Sequence, residues 1–77
     1  MPQQQTLTER AQELVETYRS LARDLDVEDA AQASQVVGQM LVHVERANRV
    51  QSDVAVRVAE EAIAAATRLF GELHPRH

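Results

Sequence analysis

Between Pro2 and Pro75 the chain contains no proline, and its only glycines are Gly38 and Gly71. These two residue types most often break regular helix. A chain with so few breakers has few places to turn, so the position of each turn decides the fold. The decisive stretch is Val44–Glu61, VERANRVQSDVAVRVAEE. It is either a turn between two helices or the middle of one very long helix.

The segments around it are legible. Thr6 opens a capping box with Glu9 three residues on, the arrangement that satisfies the free amides of a first helical turn. Leu7, Ala11, Leu14, Tyr18, Leu21 and Leu25 then recur at spacings of 4, 3, 4, 3 and 4. At about 100° per residue they fall in one arc, joined by Val15 and Ala22. Glu9, Glu13, Glu16, Ser20, Arg23 and Asp24 take the opposite face, so this helix has one side to bury.

A second helix begins after Asp26, an N-cap residue followed by Glu28 and Asp29 at the positive end of the helix dipole. Its broad apolar face is Ala30, Ala33, Val36, Val37, Met40, Leu41, Val44 and Ala47, while Ala31, Gly38 and Val42 sit together on the other side. A mid-helix glycine costs about 1 kcal/mol relative to alanine, so Gly38 invites the reading that another helix approaches closely there. In the third segment, Asp53–Leu73, Val54, Val58, Ala62, Ala65 and Leu69 form the centre of an arc about 200° wide. Val56, Ile63 and Phe70 run beside them at spacings of 7.

The signals in Val44–Glu61 favour a turn. Arg46 and Arg49 suit a helix C-terminus, Asn48 tolerates the left-handed closing conformation, Ser52 is an N-cap residue and Asp53 suits a first turn. Yet the apolar arcs on either side keep one phase through an unbroken helix. The expected fold is therefore all-α: an antiparallel three-helix bundle with short loops and helices at about 6–24, 27–47 and 53–73. It forms one domain, 6–73, between disordered tails at 1–5 and 74–77. The alternative is a helical hairpin whose second helix runs 27–73, about 70 Å long, in an obligate dimer.

Composition limits what such a fold can do. A single domain of 77 residues has a small core. It has no cysteine for disulfides or thiolate metal sites. Ala and Val dominate its apolar residues, and Tyr18 and Phe70 are its only aromatics. Net charge is −4, against the basic excess of general nucleic-acid or anionic-membrane binders. All basic residues are Arg, the usage expected of a GC-rich bacterial coding sequence. No signal peptide is read at the start, and the longest apolar run, Ala62–Ala66, is far short of a membrane span. A cytoplasmic location is expected.

No catalytic, cofactor or metal constellation emerges. His74 and His77 fall in the tail, and His43 and Glu45 point about 200° apart on a helix. Neither Glu-x-x-His nor His-Glu-x-x-His occurs. There is no phosphate-binding loop, and Ser20, Ser34 and Ser52 lack a base and an orienting acid nearby in sequence. An enzyme is not expected. Arg46, Arg49 and Arg57 are of a type that contacts phosphate, but residues 43–57 reach a net of only +1 against Glu45 and Asp53. A small dimeric DNA-associated regulator is the second function class.

The first function class follows from the apolar surplus. Helices two and three carry more apolar surface than a three-helix monomer hides. The expected function is a protein-interaction module: an adaptor, a chaperone-like subunit or an assembly component. It would bind a second copy or a helical partner through apolar stripes. The candidate interface is Gly38, Val42, Val56, Ile63 and Phe70.

Overall fold

A computed structural model describes residues 6–73; both expected tails, with His74 and His77, lie outside the described residues. Three helices follow in order: α1 (Leu7–Ala22), α2 (Val27–Val50) and α3 (Asp53–Glu72). No strand occurs among the described residues. The expected all-α three-helix packing is found. The continuous helix over 27–73 is not, because the chain reverses at Gln51–Ser52.

Each helix starts on the residue the sequence offers. Thr6 Oγ1 accepts from the Glu9 amide at 3.1 Å, and the Thr6 amide donates to Glu9 Oε1 at 3.0 Å. The backbone amide and hydroxyl of Thr6 hold the Glu9 carboxyl below its ordinary pKa. This cap therefore supports α1 above the usual carboxylate range and is lost as pH falls through the depressed value. Asp26 Oδ1 accepts from the Asp29 amide at 3.0 Å, and Ser52 Oγ from the Ala55 amide at 3.1 Å.

The α2–α3 turn is tighter than expected. α2 continues three residues past Ala47, and Gln51, not Asn48, takes the left-handed conformation (φ 58°, ψ 32°). The Gln51 amide donates to the Ala47 carbonyl at 2.9 Å, which closes the last turn. Asn48 stays helical and donates from Nδ2 to Thr8 Oγ1 at 2.8 Å. That bond ties the end of α2 to the first turn of α1. A β-carbon at positive φ is strained by about 1–2 kcal/mol. Gln51→Gly relieves it and should raise the unfolding free energy by about 0.5–1 kcal/mol, readable as a higher urea midpoint at unchanged slope.

The core is built from small side chains. Ala33, Val37, Met40, Val44 and Ala47 of α2 meet Ala59, Ile63, Ala66 and Phe70 of α3 and Ala11 of α1. Leu7, Leu14, Val15, Tyr18, Leu21 and Leu25 close over them, partly buried. α2 and α3 share the most extensive contact, and α1 lies across both. The molecule measures 41 × 28 × 16 Å. Two helix layers at the usual spacing of 8–10 Å account for the short dimension. One layer is α1 and the other is the α2–α3 hairpin, so the hairpin is covered by α1 on one side only.

Candidate functional site

The predicted interface residues do not form one surface. Ile63 and Phe70 are buried, at 3% and 8% exposure, and Val56 is half-buried against the same core. The stripe expected to meet a partner is instead the one that meets α1 and α2. The physical reason is side-chain size. Ile63 and Phe70 are among the largest apolar groups on α3, and burying them gains more than burying Val or Ala. α3 is rotated so that they, and not the middle of its apolar arc, face inward.

Gly38 and Val42 are exposed, on the side of α2 turned about 140–180° from its buried face. Nothing lies within 4 Å of the place where a β-carbon would stand on Gly38. The close helix approach expected there does not occur among the described residues. Gly38→Ala should therefore be stabilising by about 1 kcal/mol, seen as a melting temperature higher by roughly 4–8 °C.

What α3 turns outward is the expected centre of its arc. Val54 is 72% and Val58 37% exposed, and across the turn Val50 of α2 is 53% exposed. They border a shallow groove between α2 and α3 on the side away from α1. At the turn end, His43, Arg46, Val50, Ser52, Val54, Ala55 and Val58 enclose about 300 Å³. At the far end, Val36, Gln39, His43, Val58, Ala62 and Ala65 enclose about 290 Å³ together with Glu61. His43 and Val58 line both parts, so the groove is continuous. Helical geometry explains it: Val36, Gln39, His43, Arg46 and Val50 succeed one another at steps of 3, 4, 3 and 4 on α2, and Val54, Val58, Ala62 and Ala65 at steps of 4, 4 and 3 on α3.

The groove is apolar at its floor and polar at its edges. Two charges line it, Arg46 from α2 and Glu61 from α3. The other two candidate nucleic-acid residues do not line it. Arg49 lies 3.8 Å from Glu45, one turn back on α2 and fully in solvent, an arrangement worth a few tenths of a kcal/mol at most. Arg57 is exposed on α3. Of the three arginines, only Arg46 lines the groove. No group of three or more metal-ligating side chains occurs among the described residues, and no described helix is long and apolar enough to cross a membrane. No buried side-chain nitrogen or oxygen lacks a partner among the described residues, so no hidden polar centre calls for a ligand.

No family model, curated protein or solved structure matches this chain. The groove must be interpreted from its own chemistry.

The apolar arc of α3 is wider than α1 and α2 together can cover, as expected. Arc width alone does not say which edge stays open; with Ile63 and Phe70 buried, the edge of Val54 and Val58 is left outside.

Proposed function

We propose that the protein is a small interaction module whose docking surface is the α2–α3 groove. The observation that carries this reading is the row Val50, Val54 and Val58, left open on a fold whose core is complete without it. Full burial of a valine is worth roughly 1.5–3 kcal/mol relative to exposure, so a partner that covers the row gains more than one that meets any other described face. The floor of Val and Ala with a rim of Arg46, Glu61, Gln39 and Ser52 has the make-up of an interface: an apolar centre with polar edges. The mechanism is burial alone. A docked surface removes the valines from water, and the rim sets its orientation.

The test is Val58→Glu in the otherwise native chain. The side chain is at the surface, so helicity and melting temperature should stay close to the parent. Association with a second copy, or with any protein captured from the native host, should be lost. Val27→Glu, at a position 84% exposed and away from the groove, is the matched control and should leave association intact. Equal capture by the parent and both variants would sink the reading.

A DNA-associated regulator draws less support. Arg46 and Arg49 lie on α2 and Arg57 on α3, only Arg46 lines the groove, and the chain is acidic. Salt-dependent retention on DNA that is lost when Arg46 and Arg49 are replaced would revive it.

A further inference from the structure

We propose that the occupant of the groove is a second copy of this chain, docked about a twofold axis parallel to the groove, so that α2 of each copy lies on α3 of the other. This rests on reading the groove as a docking surface and adds the identity and orientation of the partner. Two properties of the face lead to it.

The first is charge placement. The chain reverses at Gln51–Ser52, and equal steps from Ser52 bring residues of the two helices level. Val50 is level with Val54, Arg46 with Val58, His43 with Glu61, and Gln39 with Ala65. Arg46 and Glu61 line the groove from opposite helices, and among the described residues neither makes an ion pair. The axis parallel to the groove exchanges the two helix rows and keeps the level. It sets Arg46 three residues, about 4.5 Å along the axis, from Glu61 of the partner subunit, and does so twice. It also sets Val50 on Val54 of the partner subunit, again twice. An axis across the groove keeps each helix over its own copy. If it passes at the level of His43 and Glu61, it opposes Glu61 to Glu61 of the partner subunit. If it passes at the level of Arg46 and Val58, it opposes Arg46 to Arg46 of the partner subunit. Of the two axes, only the parallel one sets Arg46 over the helix that carries Glu61 of the partner subunit. Arg57 and Arg68 are exposed on α3 but do not line the groove. The resulting core would be four helices with every neighbour antiparallel, a standard bundle arrangement.

The second is relief and size. The groove has no aromatic lining and no deep pocket for a large anchor. It is a low surface of Val and Ala, and the surface that matches it best is one of equally low relief, such as itself. From Val36 to Val50 it runs about 21 Å, and two helices side by side are about 20 Å wide. That is a footprint of about 400 Å² per copy, against about 800 Å² of accessible surface per partner in a standard interface. The dimer is therefore a weak one, formed between about 10 μM and 1 mM.

Sedimentation equilibrium over that concentration range tests it, on the parent, Arg46→Glu, Glu61→Arg and the double variant. The parent should convert from monomer to dimer. Each single reversal sets like charges together and should weaken the dimer by about tenfold; the double variant should restore it. A parent that stays monomeric at 1 mM overturns the self-association. If Val58-dependent capture of another protein then persists, the docking surface stands and only its occupant was wrong. If Val58→Glu abolishes the dimer but the double reversal does not restore it, the orientation is overturned. If neither dimer nor capture is seen, the docking surface falls with the dimer.

Discussion

Met40→Ala should leave the protein largely unfolded at modest temperature. Met40 is the largest side chain that is fully buried. It sits in α2, in one core with the buried alanines and valines of that helix and with Ala59, Ile63, Ala66 and Phe70 of α3. At roughly 0.05–0.15 kcal/mol per residue a chain of this size has about 4–12 kcal/mol of total stability. Truncating a buried methionine costs about 2–5 kcal/mol. The cost falls toward the upper end here because the neighbours are short. Ala33, Ala47, Ala59 and Ala66 are all buried and cannot lean into the space that Met40 vacates. Thermal unfolding followed by circular dichroism should show a midpoint lower by at least about 10 °C. Met40→Leu conserves volume and should cost less than about 1.5 kcal/mol. If Met40→Ala melts within a few degrees of the parent, α2 and α3 are not packed as described.

An alanine-built interface makes this sensitivity general. Buried alanines let the α2 and α3 backbones approach closely, and that contact is the most extensive in the molecule. There is no cysteine to provide a covalent tether. Stability therefore rests on a few larger groups placed between the alanines: Met40, Ile63, Phe70 and the partly buried leucines of α1.

How far the sequence discloses this depends on the kind of signal. Caps are local, and Thr6, Asp26 and Ser52 act as their residue types demand. The one-sided face of α1 is equally legible, since a helix with a single apolar side has one way to turn. The exit of α2 is less so. Asn48 is the better left-handed residue by type, yet it is held in the helix by its bond to Thr8, forty positions away. Gln51 takes the strained conformation in its place. A long-range hydrogen bond has no signature in a local window. The rotation of α3 is harder still. Its apolar arc fits two orientations, and the choice between them is made by the summed burial of Ile63 and Phe70 against α1 and α2. Gly38 is legible only as a weakness, because the space beside it is empty.

The clearest separation between core and surface is the contrast between Phe70→Glu and Val58→Glu. From the spacing of Val56, Ile63 and Phe70 alone, Phe70→Glu alters an outward stripe and should leave the fold intact, whereas Val58 stands at the centre of the apolar arc. Packing makes them opposites. Phe70 is 8% exposed and belongs to the core. Replacing it removes about 3–5 kcal/mol of packing and sets a carboxylate in an apolar site with no cation described beside it, a further penalty of several kcal/mol. The sum reaches or exceeds the total stability expected for the chain. Phe70→Glu should therefore show no cooperative thermal transition and a broadened amide spectrum at neutral pH. Val58→Glu should keep the parental spectrum and lose only association. A folded, cooperative Phe70→Glu protein would mean that α3 turns the other way, with Val54, Val58 and Ala65 inside and the Phe70 stripe facing the partner.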